Sequence, residues 1–323
     1  MTVVGGTRSR LWLSLLVCAA LAPAVLYGLS SPTAYRGYAR EVVVSSRAQD
    51  VFTLLVMPVA VWTSVRARRG ALAAHVAWLG LLSYLGYSYA IYLIGWQQNR
   101  AFLLYVAVVT LSVAALLDGI ARIDVHAVQP AVAPLRTRGL GWFLTVMGVA
   151  FAGLWLSDVG PSAWGGRPPQ NLGVGGSPYA VYVLDLSVAL PAVVAVGVLL
   201  IRRHPMAAIL GGVVLVKVST LFTALWLGVA ARGLDGLPVP FTPDMVPSAL
   251  LLGVCLVVLV RGYRRLRPVP DAWLRPRLWP DVSPPGPPER AAGHPRRGPW
   301  TLTGRRARRS SWSGQGPEPE DVR

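Results

Sequence analysis

Residues 206–230 read MAAILGGVVLVKVSTLFTALWLGVA, apolar almost throughout but with a lysine at position 217. As a helix rising about 1.5 Å per residue, such a run is long enough to cross a hydrocarbon core about 30 Å thick. Lys217 is the only lysine in the chain; every other basic residue is arginine. A lysine at the centre of a membrane helix costs about 2.5–3.5 kcal/mol. The fold must offset that cost, and the search for what does so organises the rest of the chain.

The nearest segment is the first place to look. Arg202–Pro205 (RRHP) leaves room only for a tight turn back into Pro178–Ile201, so the two segments are antiparallel neighbours. Lys217 lies roughly 18 Å from the start of its helix, and Asp185 lies roughly 24 Å from the same face on the neighbouring one. The offset of roughly 6 Å is within reach of a lysine stem, so the arithmetic predicts a Lys217–Asp185 pair. Tyr179, Tyr182 and Asp185 recur every three residues and share a face, as do Lys217 and Thr220. Pro191 cannot donate to the carbonyl of Ser187, which predicts a kink about one turn below Asp185. Two deep tyrosines of another segment, Tyr84 and Tyr87, need hydrogen-bond partners and are expected to face the same interior. The candidate polar site is therefore Lys217, Asp185, Tyr182, Thr220, Tyr179, Tyr84 and Tyr87.

The remaining chain has the same character. Of 323 residues, 54% are hydrophobic and only 14% charged, against about 25% charged in soluble domains. After a basic N-terminal segment (1–10), eight apolar stretches follow: 11–29, 51–65, 71–95, 101–121, 139–157, 178–201, 206–230 and 245–260. The first is read as an uncleaved anchor, because no clean small-x-small site precedes Ser30. The second is short and interrupted by Pro58. The third is the most aromatic, and its Tyr92 and Trp96 suit a membrane interface. Arg122–Arg138 and Asp158–Ser177 read as loops, the latter rich in Gly and Pro. The expected fold is an all-α polytopic membrane protein, an eight-helix transmembrane bundle.

Charge supplies the topology. With the N-terminus cytoplasmic and eight spans, the inner connectors hold fourteen arginines and the outer connectors six. This is the bias that the positive-inside rule demands, and it places both termini in the cytoplasm. Dropping the second span would reverse every later segment, so the arginines support that span independently of its hydropathy. Residues 263–323 form a basic tail rich in Pro, Arg and Gly, too poor in apolar residues to fold and expected to be disordered.

The net charge of +17 is accounted for by these connectors and by a tail whose Gly304–Ser311 (GRRARRSS) suits anionic lipid headgroups. It does not call for nucleic acid. The arginine bias, with abundant Ala, Gly, Pro and Val, is that of a GC-rich bacterial genome, and the expected location is the inner membrane. Cys18 and Cys255 both lie inside apolar stretches and make no metal or redox motif. There is no P-loop, HExxH or GxSxG, so no cofactor is implied. His75 near a segment end, and Asp118 and Asp158 at others, read as structural.

Three functional classes fit a midplane lysine with a carboxylate opposite. A small transporter or permease-like protein would exchange protons or solute at that site. A non-catalytic scaffold or subunit of a membrane complex would use the pair only to join helices. A membrane enzyme or covalent binder would use Lys217 as a nucleophile, which eight spans and the absence of a retinal-type pocket motif disfavour. Gly141, Thr145, Gly148 and Ala152 form a small-residue face suited to close helix packing, within the chain or in a homo-oligomer.

Overall fold

The computed structural model describes residues 5–95, 98–135, 137–165, 177–239 and 245–266. Every regular element among them is helical: α1 (Gly5–Ser30), α2 (Arg40–Arg68), α3 (Leu72–Gly95), α4 (Phe102–Ala121), α5 (Val125–Val132), α6 (Thr137–Gly165), α7 (Ser177–Leu184), a π-helical turn (Asp185–Ala189), α8 (Leu190–Ile201), α9 (Pro205–Leu234) and α10 (Met245–Arg265). Seven helical runs are long and apolar enough to cross a membrane, with α7, the π turn and α8 forming one of them; Ser248–Gly262 within α10 is apolar but shorter. Trp12, Leu55, Leu103, Trp142 and Val146 point outward on α1, α2, α4 and α6. So much exposed apolar surface is foreign to a soluble monomer and natural against lipid. The chain is thus an all-α protein of several long hydrophobic helices, consistent with membrane association.

The helices differ from the sequence expectation chiefly at their ends. The short second stretch, 51–65, becomes a helix of 29 residues that continues upstream through Asp50 and Arg47 to Arg40. The polar residues of this extension are satisfied: Asp50 accepts a hydrogen bond from Tyr35, and Arg40 pairs with Asp235 at 2.8 Å. Pro58 lies inside this helix, which runs on through it. The expected loop at 122–138 contains α5, capped by Asp124, whose carboxylate accepts from the backbone N–H of His126 and Ala127 at 3.0 and 3.3 Å. The fifth stretch, 139–157, runs on through Asp158 and Pro161 to Gly165. Trp96, residues 166–176 and the tail from residue 267 onward lie outside the described residues.

The turns between long helices follow from backbone chemistry. α2, α8 and α9 all end in the same way, with a residue at positive φ and two bonds back to the last turn. In α2 the residue is Gly70 and in α9 it is Gly236, where the missing Cβ makes the left-handed conformation cheap. In α8 it is Arg203, at φ 57°. His204 N–H donates to Leu199 and Arg203 N–H to Leu200, at 3.0 and 3.1 Å, which is the Schellman closure. Pro205 then opens α9 at a position that needs no N–H donor.

Two hydrophobic clusters make up the interior. One joins α1 to α5 with Ile209, Val213, Val216 and Ala224 of α9. The other joins α6, α8 and α10 with Ala207, Leu215 and Val218 of the same helix. α9 is therefore a wall shared by both groups. α3 is the most enclosed of the long helices, buried over 67% of its apolar window, and touches α2, α4, α7 and α9. Within the second group, α6 and α8 meet through small residues. A Cβ on Gly141 would stand 2.7 Å from the Gly197 carbonyl, and one on Gly197 would stand 2.8 Å from the Gly141 carbonyl. Part of the small-residue face on the fifth stretch is thus spent inside the chain.

Candidate functional site

Lys217 sits near the middle of α9, with its ammonium over the ring of Tyr87 of α3 at 3.8 Å from the centroid. That is a close cation–π contact, worth about 2 kcal/mol when desolvated. The Tyr87 hydroxyl donates to Asp185 Oδ1 at 2.7 Å. The other carboxylate oxygen accepts from the indole N–H of Trp155, on α6, at 2.9 Å. Tyr87 thus lies between the lysine and the aspartate, its face to the cation and its hydroxyl to the anion. Donation to a carboxylate enriches the phenol ring in electron density, which favours the cation above it.

The expected direct Lys217–Asp185 ion pair is absent among the described residues, where ion pairs join only Arg40 to Asp235 and Arg122 to Asp118. Nearness in depth on adjacent helices does not make two side chains face each other. Asp185 is aimed at α3 and α6, and Lys217 reaches α3 from α9. Lys217, Tyr87, Asp185 and Trp155 are each half-buried as whole residues, and the Lys217 ammonium itself is enclosed.

The backbone at Asp185 is irregular. Leu190 N–H donates to the Asp185 carbonyl, an i to i+5 bond that defines the π turn. In a regular α-helix the ring of Pro191 would collide with the carbonyl of Ser187. One extra residue in the turn relieves that conflict, so the kink expected near Pro191 takes the form of a π turn starting at Asp185.

The other candidate residues are distributed as follows. Tyr182 is buried, donates to Asp158, and packs its ring edge-on to Trp155 at 5.1 Å. It touches the network through that indole. The Thr220 hydroxyl donates to the carbonyls of Val216 and Lys217, at 2.8 and 3.0 Å, so it is spent on its own helix. Tyr179 is exposed. Tyr84 is fully buried and packs edge-on to Phe52 of α2 at 5.8 Å, and not against Lys217 or Asp185. The structure therefore brings together Lys217, Tyr87 and Asp185, adds Trp155 with Tyr182 behind it, and leaves Tyr84, Tyr179 and Thr220 apart. Trp155 has a detectable signal in the sequence, being a tryptophan three residues before Asp158 on a segment whose other tryptophan, Trp142, is near the opposite end.

Asp50 was not singled out by the sequence. It is only 2% exposed and accepts from Tyr35, in a cluster where Tyr89, Tyr92 and Tyr105 pack with centroids 5.4–5.8 Å apart. A Cβ on Gly28 of α1 would collide with the Asp50 carboxylate. This cluster is closed on all sides and joins α1, α2, α3 and α4. At the arginine-rich end, Trp78 donates to Ser14 at 2.8 Å and His75 Nε2 donates to the Gly119 carbonyl at 3.1 Å. Among the described residues no group of three His, Cys, Asp or Glu side chains is arranged to hold a metal ion.

Comparison with protein-family models, with curated proteins and with solved structures gives no match for this chain.

Proposed function

We propose that the chain is a bacterial inner-membrane protein of eight spans, with both termini cytoplasmic, that carries a small polar solute along the seam between its two helix groups. The observation that supports this most is the contrast between its two intramembrane carboxylates. Asp50 is sealed, as a structural group should be. Asp185 is only half-buried, sits on a π turn, and shares a tyrosine with a lysine that makes no ion pair among the described residues. Polar groups on irregular helix near mid-depth commonly serve substrates in transporters. α9 carries Lys217 and borders both helix groups, so movement of one group against the other would open and close this seam. The Lys217 ammonium would meet an anionic or carbonyl group of the solute, and Asp185 a donor.

A scaffold role for the same residues requires a dry seam. The two readings separate in one experiment. With Cys18 and Cys255 replaced by alanine, Lys217→Cys in proteoliposomes is exposed to a small, charged, membrane-impermeant thiol reagent. Transport predicts labelling at position 217, with protection by the transported solute. No labelling from either side of the membrane would refute the transport reading.

A further inference from the structure

A cavity of about 180 Å³ opens at the end of the bundle where α3, α6 and α9 begin and α8 and α10 finish. It lies along the first half of α9, from Ala208 to Leu215, with Lys217 beyond its inner edge and not among its lining residues. Its walls are almost wholly aliphatic, including Val76, Leu200, Ala208, Ile209 and Leu215. Two arginines of α10 stand on its border, Arg261 and Arg265. They are one helical turn apart and so share a face. Both are exposed, and among the described residues neither pairs with a carboxylate. Among the described residues no acidic side chain lines the cavity.

We propose that this cavity binds an anionic phospholipid of the leaflet at the arginine-rich face, with part of an acyl chain inside and the phosphate on Arg261 and Arg265. Size, lining and charge each point there. Apolar cavities of about 150 Å³ stay dry and take hydrocarbon ligands, so this one accepts a few methylenes while the rest of the chain lies along the bundle. Two guanidinium groups one turn apart suit a phosphodiester, which presents paired acceptor oxygens. A zwitterionic lipid offers the same phosphate but adds a cation beside two arginines. The neighbouring Gly212 is also fitted to its place, because a Cβ there would meet Val76 Cγ1 at 2.7 Å. The site differs from the general attraction of a basic tail to a membrane, since it requires a chain as well as a charge.

The test is lipid retention by the purified full chain, read by native mass spectrometry and by thermal midpoint. The probes are phosphatidylglycerol, phosphatidylcholine and the chainless headgroup glycerophosphoglycerol. The wild type should retain phosphatidylglycerol in preference to phosphatidylcholine and should ignore the chainless headgroup. Loss of each arginine should weaken phosphatidylglycerol about tenfold, so R261Q/R265Q should bind both lipids alike. Ala208→Phe fills the cavity without touching charge and should also lose the lipid; if it does not fold, Ala208→Leu replaces it. Three results would each overturn the proposal: equal retention of the two lipids by the wild type, unchanged preference in R261Q/R265Q, or binding of the chainless headgroup as tight as that of the lipid.

Discussion

Replacing Tyr87 by two different residues separates its two contacts. Tyr87→Phe keeps the ring 3.8 Å below the Lys217 ammonium and deletes only the hydroxyl that donates to Asp185 at 2.7 Å. A hydrogen bond to a charged group is worth about 1.5–3 kcal/mol. Asp185 keeps its Trp155 donor, so the loss should fall near the lower end, about 1.5 kcal/mol. Tyr87→Leu removes the ring as well, with a further loss of about 2 kcal/mol from the cation–π contact. That second component belongs wholly to Lys217, the first mainly to Asp185. In a double-mutant cycle with Lys217→Met, Tyr87→Leu should therefore show a coupling of about 2 kcal/mol, and Tyr87→Phe a smaller one, because the ring stays over the ammonium and loses only the enrichment that the hydroxyl's donation supplies. The assay is reversible unfolding in mixed micelles, followed by helical circular dichroism over a denaturant series. Independent sites add to within about 0.5 kcal/mol. Additivity of Tyr87→Leu and Lys217→Met within that margin would show that the ring does not hold the lysine, and the site as described would fail.

Other perturbations follow from single contacts. Trp155→Phe keeps the ring packing on Tyr182 but strips one donor from Asp185, and should cost about 1–2 kcal/mol in the same unfolding assay; Asp185→Asn should halve that cost in a cycle, and no coupling would remove Trp155 from the network. Gly197→Ala forces a Cβ to 2.8 Å from the Gly141 carbonyl and should destabilise the α6–α8 contact by about 1–3 kcal/mol, with Gly153→Ala, which meets nothing within 4 Å, as the neutral control. Arg203→Gly relieves a left-handed arginine at φ 57° and should stabilise by about 0.5–1 kcal/mol after the larger freedom of glycine in the unfolded chain is counted; a lower midpoint would mean the Arg203 side chain has a role of its own. Tyr35→Phe leaves the Asp50 carboxylate without that donor in a sealed pocket and should cost about 2–3 kcal/mol, more than the same change at exposed Tyr179.

Hydropathy made the long apolar helices visible, because a run such as 206–230 has few other uses. It could not show where they end. Helix α2 begins eleven residues before the apolar stretch 51–65; a short span invites an extension through Arg47 and Asp50, but polarity alone does not carry it on to Arg40. Their partners are distant in sequence: Tyr35 for Asp50, and Asp235 for Arg40. A polar residue is compatible with a long hydrophobic helix whenever another segment supplies its partner, and a single segment does not announce that supply. α5 was hidden for the opposite reason. Its Val128, Ala131 and Val132 are buried, but eight residues give too little periodicity to stand out between arginines and prolines.

The site was legible in part for a related reason. Charge at depth singles out Lys217 and Asp185 without any structure, and the RRHP turn sets their helices side by side. Depth is read from residue number along a helix; azimuth is not, and azimuth decides which neighbour a side chain meets. The π turn adds a residue between Asp185 and Pro191 and so rotates the aspartate relative to the helix below it. Rotation toward α3 and α6 exchanges the expected lysine partner for two neutral donors, Tyr87 and Trp155. Neutral donors hold a carboxylate without cancelling its charge, and the face of a tyrosine holds an ammonium without cancelling that charge either. A direct pair would have neutralised both groups and left little to offer a solute. With Tyr87 between them, the cation and the anion are each stabilised and each keeps its own charge, and the proposed solute site rests on that separation.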